Sequence, residues 1–343
     1  MATRRPTDPM TALLEETRGG IIDNVHHGHI AVVDVGGRLL FAYGEPEVTV
    51  YGRSALKPMQ VLPVLESGAA DHYGLDEHDL TLCMASHSGL PEQRARVLAL
   101  LQRIGCNETD LVCAATPPTN VGAYETLIKE AGSVNKLCNC CSGVHAGMLA
   151  TAAYLGDPVE GYHRLSHPVQ QRVLEAVSDA LRYPVDQLTI GLDGCGIPTF
   201  ATPLRHLAWG FARLTEPDAW SSRRAQAVRR VTTAMLNHPE LLTEEDSFNT
   251  HLIRSFAGRL IAKEGAKGVL CLGDMTRHVG IAIKVEDGNK ELLPSVVMEI
   301  LRQLDWTPSR PTAKLESYIR QPIQNGQGDS VGAMRPTFTL TRV

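Results

Sequence analysis

The sequence has no run of apolar residues approaching the roughly 18 needed to cross a bilayer as a helix, so no membrane span is expected. Lysine and arginine never cluster beyond pairs such as Arg4-Arg5 and Arg229-Arg230. With a formal net charge of -5, the chain offers no basic face to neutralise phosphates, which excludes nucleic acid as an expected partner. Arg4-Arg5 is not followed by an apolar stretch, so the start does not read as a secretory signal, and a cytoplasmic location is expected. No internal repeat, low-complexity tract or Pro/Gly/Ser linker interrupts residues 20 to 300.

The composition is that of an ordinary globular protein, 43% hydrophobic and 21% charged. A length of 343 residues suits either two lobes or one large α/β unit. The simpler expectation is a single α/β unit over residues 19–343, with two subdomains left open, preceded by a frayed arm over residues 1–18 that shows no periodicity. Without a signal, the eight cysteines are expected to be reduced. Cys83, Cys106, Cys113 and Cys271 sit among apolar neighbours as small core residues, whereas Cys138, Cys140, Cys141 and Cys195 flank glycine-rich turns.

From His29 to Tyr43, two apolar runs flank Gly36-Gly37, the pattern of a β-hairpin. Apolar positions after Ser54 recur at helical spacing and stop at Ser67-Gly68. Further helices are predicted over Pro91 to Ile104, Ser142 to Leu155 and His167 to Leu181, the last capped by Ser166 with Pro168 in its first turn. Gly268 to Leu272 and Val279 to Val285 read as buried strands. A helix over Leu292 to Leu304 and a strand over Pro336 to Leu340 follow.

Four segments carry chemistry. Ser54-Ala55-Leu56-Lys57 puts a hydroxyl and an amine three residues apart at a helix start, where a neutral lysine could deprotonate the serine. Lysine titrates near pH 10.4, so that role requires a depressed pKa, from burial or from a neighbouring cation such as Arg53. The plainer reading of Ser54 is a helix cap. Ser86-His87-Ser88-Gly89 follows an apolar run and reads either as a polar exit where sites lie or as a serine-rich turn. The stretch Cys141-Ser142-Gly143-Val144-His145-Ala146-Gly147-Met148 opens a helix whose N-terminus suits an anion, and Asp193-Gly194-Cys195-Gly196 is a tight turn whose carboxylate could hold an ammonium.

Taken in order, Arg53-Ser-Ala-Leu-Lys-Pro58, Ser86-His-Ser-Gly89, Cys141-Ser-Gly-Val-His-Ala-Gly-Met148 and Asp193-Gly-Cys-Gly-Ile-Pro198 resemble the rhizobial-type L-asparaginases, over roughly residues 19 to 290. The resemblance implies a fold like the serine β-lactamases and glutaminases, a mixed sheet with flanking helices, in a homodimer. It implies cleavage of asparagine to aspartate and ammonia by two serine and lysine pairs, Ser54 with Lys57, and Ser86 with Lys263 or, failing that, Lys267. It places Arg53, His145 and Asp193 around the substrate, and Cys141 and Cys195 at a zinc site. The third protein ligand in that family is a lysine where this chain has Val144, so no cofactor is expected to be required for the chemistry, and zinc at Cys141 and Cys195 stays open. Other amide substrates and a catalytically silent relative stay open as alternatives. A β-lactamase or penicillin-binding protein would also need Ser-Asp-Asn and Lys-Thr-Gly, and neither tripeptide occurs.

Overall fold

The computed structural model describes residues 11–319 and 321–343. It is a mixed α/β protein of two compact units, each assembled from separated stretches of chain. The first takes the chain up to Val50, Thr202–Thr215 and His251 onward; the second takes Tyr51–Ala201 and Glu216–Thr250.

The first unit is organised by a nine-stranded sheet. Strand Ile21–Asp34 pairs antiparallel with Leu39–Tyr43, which is the predicted hairpin, with Gly37 at φ +89° supplying its turn. On its other side Ile21–Asp34 pairs with Val279–Val285, which pairs with Val269–Asp274, itself joined to Leu260–Gly265. Val279–Val285 is buried at every position except Lys284, as expected of a strand covered on both faces. The helix Leu204–Leu214 lies directly on it: a Cβ on Gly280 would come within 1.9 Å of the Ala208 carbonyl oxygen.

Residues 12–18, expected to belong to the frayed arm, form strand Ala12–Arg18. It pairs with Ile21–Asp34 on one side and Ser330–Pro336 on the other. Alternation in Leu-Leu-Glu-Glu-Thr is too weak to see in the sequence, and the partner strand lies more than 300 positions away. Residues 1–10 of that arm lie outside the described residues. The last strands are Ser330–Pro336 and Thr341–Arg342, so residues 337–340, expected as a strand, connect two strands instead. The helix predicted at Leu292 runs Leu293–Gln303.

The second unit is mainly helical around Ser142–Leu155, in which every residue from Ser142 to Ala152 is buried. Such a helix, apolar on all sides, belongs at a centre. Helix Glu77–Met84 crosses it so closely that a Cβ on Gly143 would lie 2.1 Å from the Leu82 carbonyl oxygen, and one on Gly147 would lie 3.0 Å from Cys83 Sγ. Pro91–Arg103 and Pro168–Leu181 form as predicted. The cap of the latter is His167, whose side chain accepts the Val169 N–H, rather than Ser166. The helix expected after Ser54 is broken into Arg53–Leu56, Lys57–Gln60 and Leu62–Glu66, because Pro63 has no N–H to carry the ladder across.

Gly143→Ala is expected to destabilise the protein by about 1–3 kcal/mol, the usual cost of overpacking, with loss of any activity seated on these two helices. Chemical denaturation of the variant measures it, and an unchanged midpoint would show that the crossing can widen without strain.

Candidate active site

The crossing of Ser142–Leu155 with Glu77–Met84 decides where the polar residues go. Glu77–Met84 ends at Ala85, and the chain leaves extended through Ser86-His87-Ser88, tied by Ser86 N to Leu242 O (2.9 Å), His87 N to Cys140 O (3.1 Å) and Ser88 N to Thr243 O (3.2 Å). Ser86 therefore lies beside Cys140-Cys141, the entry of the central helix. His87 accepts the Gly89 N–H at Nδ1 and donates from Nε2 to Ser142 Oγ at 2.8 Å. Burial, with the Lys57 charge, lowers its pKa to about 4, and it serves as a neutral brace.

Lys57 is 2% exposed. Its Nζ donates to the Ala85 carbonyl at 2.5 Å, to Cys141 Sγ at 3.3 Å and to Ser86 Oγ at 3.4 Å. Burial alone would strip its charge, but the negative charge of Cys141, with help from Cys140 and Cys195, outweighs burial and raises the pKa. The lysine depressed below its ordinary value that the Ser-x-x-Lys reading required is thus not found: an anionic sulfur, rather than a cation, faces the amine. Cys141 is the group that moves down. The thiols of Cys140 and Cys195 hydrogen-bond to it and Lys57 neutralises it, against the opposing effect of burial. The Cys140 sulfur is 3.8 Å from the Cys141 sulfur, and Cys195, hydrogen-bonded to Cys141 and buried, is held as a thiol. None of the eight cysteines forms a disulfide.

Ser54 lies one turn before Lys57, whose backbone N–H donates to the Ser54 carbonyl. Its hydroxyl is half-buried and is not among the partners of the Lys57 amine. Arg53, just before it, is held at φ +51°, a conformation that a non-glycine residue adopts only under constraint. The constraint is Asp193, whose Oδ1 takes both Arg53 Nη2 (2.6 Å) and Nε (3.1 Å) and raises the arginine pKa. The two residues expected to bind opposite ends of a substrate are bonded to each other. Asp193 opens the turn between strands Thr189–Leu192 and Pro198–Pro203, closed by Gly196 N to Asp193 O at 2.9 Å, with Gly196 at φ +93°. That turn carries Cys195.

His145 is fully buried, its Nδ1 2.5 Å from the Tyr162 hydroxyl. Burial lowers its pKa to about 4, with Lys57 adding to the effect and Cys141 opposing it. Tyr162 is equally buried and carried no sequence signal, since it lies outside every motif. Lys263 stands on strand Leu260–Gly265 of the first unit, buried, with Nζ donating to the Glu264 carbonyl at 3.0 Å. Lys267 is exposed in the following turn, at φ +66°.

A closed zinc site needs four ligands. Among the described residues no group of three or more His, Cys, Asp or Glu side chains is placed to hold a metal ion. Val144, buried in the central helix, has no lone pair to offer, and Lys57 Nζ already faces Cys141. The donor set does not fit a closed zinc site.

The structure brings together a half-buried serine, a buried amine one turn further on, and a sulfur and a second serine hydroxyl that face that amine. The model of the L-asparaginase II family matches residues 14–336, and the chain belongs to that family of amidohydrolases. No curated protein matches the sequence. Solved structures with a similar path include a β-lactamase from Mycobacterium bovis, at 15% identity over 82% of this chain and 95% of that one, TM-score 0.42. Another is Mglu, at 15% identity over 83% of this chain and 69% of that one, TM-score 0.37. No helix among the described residues is long and apolar enough to cross a membrane.

If Lys57 is the cation that keeps Cys141 ionised, Lys57→Met should abolish the thiolate ultraviolet absorbance at neutral pH. An absorbance equal to that of the wild type would show that Cys141 does not depend on the amine.

Proposed function

We propose that the chain hydrolyses the side-chain amide of L-asparagine to L-aspartate and ammonia, with Ser54 as nucleophile and Lys57 as its proton-transfer partner. The observation that carries this reading is the buried Lys57 amine, one turn from the Ser54 hydroxyl, bonded to Ser86 Oγ and Cys141 Sγ. An ammonium cannot accept the Ser54 proton. The neutral amine can, and its share grows as pH rises toward the lysine pKa. The amine then takes the Ser54 proton as Oγ bonds to the amide carbon. It returns that proton to the departing nitrogen, so ammonia leaves and an acyl-serine remains.

Water completes the cycle: its oxygen bonds to the acyl carbon as the bond to Ser54 Oγ breaks, one of its protons returns to Ser54 Oγ by way of Ser86 and Lys57, and the aspartate carboxyl releases the other to solvent. Arg53 and Asp193, which neutralise each other without substrate, can exchange that bond for the α-carboxylate and α-ammonium of an amino acid, each finding an opposite charge. No metal is required in the scheme.

Ammonia release from asparagine tests the reading. Ser54→Ala and Lys57→Ala are each expected to lower kcat by about a thousandfold or more, because they act as one unit. Ser86→Ala should lower kcat with little change in KM, and a chelator should leave the wild-type rate unchanged. Near-normal turnover in Ser54→Ala or Lys57→Ala would sink the mechanism.

The pH dependence follows from the sign of the Lys57 shift. Its pKa is raised, so the neutral amine grows with pH throughout the neutral range and does not saturate there. The rate should climb steadily from about pH 6 past the ordinary lysine value near 10, or until unfolding intervenes. A plateau reached near pH 7 would mean that the base is some other, more acidic group.

A further inference from the structure

We propose that Tyr162 is a positioning residue that fixes the buried His145 as a neutral N–H donor, its Nε2–H directed at an acceptor oxygen of the substrate. This rests on the hydrolase reading for the identity of the substrate, though not for the state of the imidazole. The Tyr162 hydroxyl accepts the Val112 N–H at 3.0 Å and lies 2.5 Å from His145 Nδ1, with the two rings edge to face at 89°. Once that oxygen has accepted Val112, its own proton needs an acceptor, and among the described residues His145 Nδ1 is the one it meets. Burial pushes the Tyr162 pKa upward, so the phenol keeps its proton and remains a donor.

A neutral imidazole that accepts at Nδ1 carries its proton on Nε2. The network thereby assigns the tautomer. Nε2 is itself buried and, with the Cys195 main chain nearby but not in hydrogen-bond geometry, finds no partner among the described residues. A histidine kept only for packing has both nitrogens satisfied or one in water, since a buried donor without an acceptor is costly. Here one nitrogen is fixed by a fully buried tyrosine and the other is left unmatched. The ring lies beside the Cys195 main chain, close enough to Cys141 and Lys57 to feel both charges. An oxygen atom of a ligand entering there completes the donor.

Neutrality matters to what is recognised. A ring fixed in this tautomer adds a directed N–H without a second positive charge beside Lys57. The fit is a carboxylate or amide oxygen, held by direction rather than by charge.

Nitrogen-15 NMR of the imidazoles in the full-length protein tests the assignment without any substrate. The wild type should show His145 protonated at Nε2 alone, and Tyr162→Phe should show a mixture of both tautomers. In asparagine hydrolysis, Tyr162→Phe should raise KM about fivefold to tenfold, the loss of one hydrogen bond from the wrong tautomer, with kcat within about twofold. His145→Gln can place an amide N–H where Nε2–H stood, with no tautomer to fix, so adding Tyr162→Phe to it should raise KM no further. The proposal is overturned by a wild-type His145 protonated at Nδ1, or by a Tyr162→Phe effect as large in the His145→Gln background as in the wild type, the mark of a merely structural tyrosine. A wild type that shows the Nε2–H tautomer but releases no ammonia from asparagine would instead refute the hydrolase reading.

Discussion

Everything in the second unit depends on how closely two helices cross. Gly143 has no side chain, so Glu77–Met84 lies against Ser142–Leu155 at a distance that a single methyl group would forbid. That crossing brings the end of one helix, with Ser86, to the beginning of the other, with Cys141, and the buried Lys57 amine reaches both. A lysine in such a place is expensive to bury. It is tolerated because each of its donors meets an acceptor: a carbonyl, a sulfur and a hydroxyl.

The electrostatics follow from the packing. A buried amine alone would lose its proton, and a buried thiol alone would keep its own. Side by side, each reverses the tendency of the other, and two further thiols donate to the same sulfur. The outcome is a buried pair in which the amine's pKa is raised and the sulfur's is lowered. Backbone strain is found at the same place: Arg53, just before Ser54, holds a left-handed conformation and is secured by Asp193.

The sequence made local features legible. Helices Pro91–Arg103, Ser142–Leu155, Pro168–Leu181 and Leu293–Gln303 were readable because capping, periodicity and glycine stops act over a few residues. The Ser54, Ser86, Cys141 and Asp193 motifs were readable because side-chain types stand close together. What could not be read depended on distant partners. Strand Ala12–Arg18 exists because Ser330–Pro336 covers its edge, and the pKa of Lys57 rises because Cys141, 84 positions away, faces it. Tyr162 is a single aromatic residue in an irregular stretch, and only its contact with His145 gives it meaning. Neither the strand Leu260–Gly265 nor the burial of Lys263 on it could be foreseen from a segment that reads Ala-Lys-Glu-Gly.

The pairing of Ile21–Asp34 with Val279–Val285 bears on how the protein is made. A ribosome finishes the first strand of that pair long before it begins the second, and the residues in between include the whole of the other unit. That unit, Tyr51–Ala201 with Glu216–Thr250, can be complete while a fourteen-residue strand with an apolar run at Ile30 to Val33 waits with one edge open. An unpaired strand edge is a template for the wrong chain. During synthesis, then, the hazard in this protein lies not in the helical half that holds the reactive side chains, but in the early strand that must remain unmatched until almost the last.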